Sequence, residues 1–330
     1  MAISTKTIKR RIKSISNTKK ITKAMEMISA VKMRRAVANV LATRSYANLA
    51  WEMLKEIAAK TDVSHHALLS KREVKKVGLI LITSNRGLAG GFSSRLLQEV
   101  HNFIQSQQPV ILSETKNPSH QSNVKGSFAG AQDDKSEVTV EVILTGRRGK
   151  KIFQRFGHTV VAEFDKLDLT TKIEEILPMA QLAVSEYIAG KYDKIIVAYV
   201  DFVSAINQAP KLKQLLPIAQ TKPDERDPLL TSPSAEEEGE VSLEQGTFLF
   251  EPNPAEVLEV LLPRLVEMQM YQAILESDAS EHSARMLAMR NASDAAADVI
   301  KELNNSFNKA RQAAITQEIS EIVGGAAALG

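Results

Sequence analysis

Both ends of this chain read as helices too long for any compact domain. Residues 4–59 contain no Pro and no Gly, so nothing in them breaks an α-helix. At ~1.5 Å per residue they make a rod of roughly 84 Å. Within it Met33, Ala36, Val40, Thr43, Ala47, Ala50 and Leu54 recur in alternating steps of three and four, and six of these seven are apolar. That spacing is the seam of a coiled coil. Nearer the start the apolar stripe runs through Ile8, Ile12 and Ile15, and it is expected to shift to Ile21, Met25 and Ile28 before it resumes.

The other end repeats the theme. Asn253-Pro254-Ala255-Glu256 has the order of an N-cap, a first-turn proline and a capping carboxylate. Over 255–323 only Pro263 interrupts, with an expected kink in the first turns, and Gly324-Gly325 is the expected stop. Such a helix would run roughly 100 Å. Its seam, Met286, Met289, Ser293, Ala296, Ile300, Leu303, Phe307, Ala310 and Ala314, has eight apolar members of nine. Charge distinguishes the two rods: residues 1–60 hold 14 Lys/Arg against 3 Asp/Glu, whereas 255–323 hold 6 against 11. Matched seams and opposite charge lead us to expect an antiparallel pair.

The middle has another texture. Continuous apolar runs at 77–83, 138–144 and 194–200, and a weaker one at 109–112, suit strands covered on both faces. Helical patterns intervene at 94–105, 150–156 and 171–188. This alternation argues a small α/β domain with a largely parallel sheet. The expected architecture is therefore α/β: a long antiparallel coiled coil of the terminal helices plus a small, Rossmann-like central domain. Its parts are 1–75, 76–251 and 252–330. Two polar segments, 113–137 and 221–245, are expected to be disordered; the second carries 8 acidic and 2 basic residues.

Chemistry is sparse. The chain has no Cys, which excludes disulfides, thiolate metal ligands and thiol catalysis. No run of 18 apolar residues occurs, so no helix is expected to span a membrane, and no apolar signal region follows Met1. The turn Thr83-Ser84-Asn85-Arg86-Gly87-Leu88-Ala89-Gly90-Gly91-Phe92 offers backbone N–H groups that could cradle a phosphate. It is neither G-x-G-x-x-G nor a P-loop, and a tight strand-to-helix turn is the plainer reading. Gly149-Lys150 invites a nucleotide reading too, but Thr145 stands where a P-loop needs Gly and Lys151 where it needs Ser or Thr. The histidines at 65, 66, 101, 120, 158 and 282 form no metal-ligand spacing, and no G-x-S-x-G elbow is present. No catalytic, cofactor or metal residue is assigned.

Three readings of the basic first helix stand. Its cluster of Lys6, Lys9, Arg10, Arg11, Lys13, Lys19, Lys20 and Lys23 suits nucleic acid, but almost no aromatic residues interleave it. A presequence would be basic and amphipathic, yet this pattern continues for some fifty residues. Contact with acidic protein partners is the third.

At this point the residues become specific. Asn17-Thr18-Lys19-Lys20-Ile21-Thr22-Lys23-Ala24-Met25-Glu26-Met27-Ile28 with Lys32-Met33-Arg34 resembles the N-terminal helix of the F-type ATP synthase gamma subunit family. Glu281 to Met289 and Asn308 to Ala326 are similar to its C-terminal signature. Arg86 to Gly91 is similar to its central motif, which often has Cys where Ala89 stands.

The resemblance implies a central rotor shaft inside a ring of three alpha and three beta subunits, coupling ion flow through the membrane sector to ATP synthesis or hydrolysis. The catalytic sites would belong to those partners. The α/β domain would sit against the epsilon subunit and the membrane c-ring, with no nucleic acid and no membrane span. Partner contacts are implied at Lys9, Arg10, Lys13, Lys23, Met25, Arg285, Gln312, Thr316 and Glu318. Resemblance from about residue 4 leaves no room for an organelle presequence. The expectation is a peripheral protein at the cytoplasmic face of a bacterial inner membrane. The competing class is a coiled-coil scaffold or nucleic-acid-binding protein.

Overall fold

The computed structural model describes residues 5–60, 66–70, 72–107, 138–156, 160–166, 172–218, 251 and 253–329. The expected strand at 109–112 and the segments 113–137 and 221–245 lie outside the described residues. In chain order the elements are α1 (Thr5–Lys60), β1 (Lys76–Ile82), α2 (Phe92–Gln107), β2 (Thr139–Thr145), α3 (Arg147–Arg155), β3 (Val160–Phe164), α4 (Leu177–Ile188), β4 (Lys194–Phe202), β5 (Gln208–Leu216) and α5 (Pro254–Leu329).

α1 and α5 pair antiparallel along one seam. Thr22 meets Ser293 across it, and Ala36 packs with Ala279 in one apolar cluster. This register sets Ile8 level with Phe307 and Ala50 level with Leu265; Ile8, Ala50 and Leu265 are buried, and Phe307 is half-buried. The expected shift of the stripe does not occur. Thr22 and Ser29 are buried in line with Ile8, Ala36 and Val40, while Ile21 and Ile28 face outward, 61% and 58% exposed. The heptad period continues without a break through polar residues, because small hydroxyl side chains let the helices approach closely.

α5 begins as expected. The Glu256 backbone N–H donates to Asn253 Oδ1 (2.9 Å), and the Asn253 amide donates to Glu256 Oε1 (2.6 Å). The helix runs on through Pro263, and it also runs through Gly324 and Gly325 to Leu329, which corrects the expected stop. A glycine pair costs a helix about 1 kcal/mol per residue relative to Ala, too little to end one already propagated. Residues 311–326 are all exposed. By the register they extend past the described start of α1, so among the described residues the rod tapers from two helices to one.

The sheet has the order β3-β2-β1-β4-β5. β1 pairs parallel with β2 and β4, β2 pairs parallel with β3, and β5 returns antiparallel along β4. Alternate residues of β1, β2 and β4 feed different cores. Val77, Leu79 and Leu81 face Phe92, Leu96, Leu97 and Val100 of α2, with Phe153 of α3. Ile80 and Ile82 face the opposite way, into a core shared by Met179, Ala180 and Ala183 of α4 and by the base of the rod. Ala50 and Ile57 of α1 and Leu258, Leu262, Leu265 and Met270 of α5 supply that base. Coverage on both faces is why these strands read as unbroken apolar runs.

Candidate functional site at the junction of rod and sheet

α5 changes sides of the sheet. Its residues up to Ile274 belong to the core on the α4 face, whereas Ala284 belongs to the core on the α2 face. Between them the helix passes the carboxyl ends of the strands. The chain leaves β1 for β2 on one side and reaches β4 on the other, so β1 and β4 flank the topological switch point. In open α/β sheets that crevice takes the ligand. Here α5 fills it, with Ser277, Ala279, Ser280, Ser283 and Ala284 all buried. These small side chains allow the helix to lie against the strand ends.

Three loops grip the crossing. From the loop after β3, Lys166 Nζ donates to Asp278 Oδ1 at 2.5 Å and to Glu281 Oε2 at 3.0 Å. From the turn after β1, the Gly87 carbonyl accepts from Arg285 Nε at 3.4 Å, and Arg285 Nη2 donates to Glu281 Oε1 at 2.7 Å. From the loop after β4, the Ala205 carbonyl accepts from Ser283 Oγ at 2.5 Å, and Gln208 Nε2 donates to the same hydroxyl at 3.5 Å. Asn85 ties two of the loops together, donating to the Lys166 carbonyl and accepting from the Arg147 N–H at 3.3 Å.

The network is charged and nearly dry, with Lys166, Glu281 and Arg285 side chains 5%, 7% and 11% exposed. Burial opposes ionisation of Glu281, but Lys166 and Arg285 outweigh it and hold the carboxyl down at about 2. Burial likewise opposes the Lys166 charge, and Asp278 and Glu281 outweigh it, raising the ammonium above its usual range. Burial dominates at His282 and pushes its imidazole down to about 4 despite Glu281 and Asp278 nearby.

The glycine-rich turns serve this packing. Leu88 and Gly90 take positive φ, 65° and 54°, and the Phe92 N–H closes the turn on the Ala89 carbonyl at 3.2 Å. Gly146 precedes α3 at φ 95°, where a Cβ would stand 2.3 Å from the Thr83 carbonyl oxygen. Gly149-Lys150 accordingly lies in the first turns of α3, pressed on Thr83 and on Leu144 of β2, rather than in a phosphate loop. Among the described residues no group of three His, Asp or Glu stands close enough together to hold a metal ion, and no described helix is long and apolar enough to cross a membrane.

The residues implied as partner contacts fall into three places. Met25 and Arg285 come together, lining one cleft with Ile28, Lys32, Arg86 and Leu88. Lys9, Arg10 and Lys13 stay apart from it, exposed on the rod, while Lys23 is engaged by Glu26 of its own helix at 2.9 Å. Gln312, Thr316 and Glu318 lie on the single-helix tip, where the Thr316 hydroxyl donates to the Gln312 carbonyl at 2.9 Å. Reading the sequence alone missed Lys166. The available signal was Asp278 with Glu281, two carboxylates three residues apart in a stretch where Ser277, Ala279, Ser280, Ser283 and Ala284 are all small.

A long two-helix rod keyed through the switch-point crevice of its own sheet is the architecture of a shaft. A sequence model of the ATP synthase family matches residues 4–329, and the chain belongs to that family. It is 41% identical over 329 residues to the ATP synthase gamma chain of Chloroflexus aurantiacus, covering 99% of both chains. To that of Legionella pneumophila it is 36% identical over 324 residues, covering 98% of this chain and 99% of the relative. Its fold matches a chain of the Euglena gracilis mitochondrial ATP synthase with a TM-score of 0.59 at 16% identity, over 98% of this chain and 94% of that one. A chain of the Tetrahymena thermophila mitochondrial ATP synthase central stalk and c-ring gives 0.53 at 22% identity, over 83% and 99%.

Proposed function

We propose that this chain turns as the gamma-type central shaft of an F-type ATP synthase, carrying ion-driven rotation to nucleotide sites on other subunits. The observation that carries the reading is full-length likeness to ATP synthase gamma chains at 36–41% identity. The geometry supports it, because a rod of about 84 Å in its paired part ends in a single exposed helix. In this reading the tapered end stands inside a ring of three alpha and three beta subunits. Lys9, Arg10, Lys13 and Lys23 present charge to acidic surfaces of that ring, and Gln312, Thr316 and Glu318 present small polar groups to the beta subunits. The sheet domain sits below, against epsilon and the c-ring, at the cytoplasmic face of a bacterial inner membrane.

Contacts of this kind suit a rotor. Exposed charge pairs are each worth ~0–1 kcal/mol, so every contact can be left as readily as it is made. The test is affinity purification of the tagged chain from detergent-solubilised membranes of its host. Alpha and beta subunits recovered at three each per tagged chain are expected. Recovery of the chain alone, or with nucleic acid, would overturn the assignment.

A further inference from the structure

We propose that Lys166 is the pin that fixes the angle of the rod on the sheet domain, and so determines how much of the domain's rotation reaches the rod. The role rests on the shaft reading above. Lys166 touches no nucleotide site and is a positioning residue.

The apolar contacts between rod and domain are poor at setting an angle. Where α5 crosses the strand ends its buried uncharged residues over 277–284 are Ser277, Ala279, Ser280, Ser283 and Ala284, small and nearly alike. A coiled-coil seam also repeats itself every seven residues, about 10 Å along the axis. Sliding or rolling the helix against such surfaces would exchange one small side chain for another at little loss of buried area.

Buried charge behaves differently. Lys166 engages Asp278 and Glu281 together, and Glu281 is shared with Arg285, which holds the Gly87 carbonyl. Moving α5 by one turn, about 5.4 Å, would leave Lys166 facing one carboxylate in place of two and would take Arg285 away from the Gly87 carbonyl. Ion groups of this kind add little net stability compared with apolar replacements of the same shape, and their best-attested use is to fix register. Asn85 extends the constraint, because its bond to the Lys166 carbonyl ties the loop after β3 to the turn after β1. The charges on α5 are thereby referred to two separate strands of the sheet. For a rotor this matters directly, since any slack between domain and rod is rotation that does no work.

The absence of Cys makes the test direct. In the isolated full chain, Glu99→Cys on α2 and Asp298→Cys on α5, both exposed, take spin labels whose separation is read by pulsed electron resonance. With Lys166→Met the distance distribution should widen at least twofold, and with Lys166→Arg it should stay as in wild type. A triple variant, Lys166→Met with Asp278→Asn and Glu281→Gln, removes all three charges at nearly constant volume and serves if Lys166→Met does not fold. In membranes, at matched assembly, the Met variant should hydrolyse ATP within about twofold of wild type. The ions it pumps per ATP should fall at least twofold, and Lys166→Arg should restore them. An unchanged distance distribution would overturn the pin. A widened distribution with unchanged pumping per ATP would overturn its role in coupling. A widened distribution in a chain that never enters an ATP synthase complex would overturn the shaft reading and leave the pin standing.

Discussion

Thr22 Oγ1 and Ser293 Oγ lie 2.7 Å apart in the buried seam between α1 and α5. The Thr22 hydroxyl also lies 3.0 Å from the Lys19 carbonyl, so one small polar group satisfies two partners inside the seam. Removing one member and removing both should therefore differ. Ser293→Ala alone leaves the Thr22 hydroxyl short of a partner and should cost about 1 kcal/mol. Thr22→Val with Ser293→Ala restores an apolar match, and its melting temperature by circular dichroism should exceed that of the single variant. A double variant that melts lower than the single would show that the pair is worth more than the apolar contact replacing it.

The two glycine settings should respond with opposite signs. Gly146→Ala meets both a positive φ and the Thr83 carbonyl, which should lower stability by about 2 kcal/mol or more. Nothing lies near a Cβ at Gly324, where the backbone is helical. Gly324→Ala should add up to about 1 kcal/mol of local helix stability. Thermal melting of the first and amide exchange at the tip of the second are the checks.

Acid should loosen the junction in two stages. His282 has a folded value of about 4 against 6.5 for the free side chain. The unfolded chain takes up that proton first, so stability is full above about 6.5 and is lost as pH falls towards 4. Glu281, at about 2 against 4.5, contributes stability that is present above about 4.5 and is lost as pH falls towards 2. His282→Gln should flatten the melting-temperature profile between pH 6.5 and 4 and leave the fall below it. A parallel profile over the whole range would remove His282 from the acid response.

Replacing Gln312, Thr316 and Glu318 together by Ala should leave the melting temperature within about 1 °C, because all three are exposed. In the assembled complex the same variant should lower both ATP hydrolysis and ATP-driven ion pumping at matched assembly. Unchanged rates in both assays would leave the shape of the shaft as the transmitter of torque.

The rods were legible because length without breakers and a seven-residue period are strong, redundant signals. The error at Ile21 and Ile28 came from following apolarity where the period should have been followed: the seam keeps its spacing and accepts Thr22 and Ser29. β1, β2 and β4 announced themselves as doubly covered runs. β3 is five residues at the sheet edge with alternate exposure, too short to stand out. β5 hid behind Pro210, Lys211, Lys213 and Gln214, which suit the edge position it takes in the described sheet. The clamp around Lys166 was least legible. It joins residues more than a hundred positions apart, and only the fold brings them together.

The route of α5 also orders events during synthesis. The sheet and α4 leave the ribosome before α5 does, yet the core on the α4 face is completed by Leu258, Leu262, Leu265, Met270 and Ile274. The seam of α1 waits for the same helix. Until the 76 residues of α5 have emerged, the nascent chain carries a sheet face only part-covered by α4 and a bare helix stripe. Such surfaces aggregate or recruit chaperones. Completion of both the domain and the rod is thus a single event, triggered by the last element made, and a chain stopped short of it has neither.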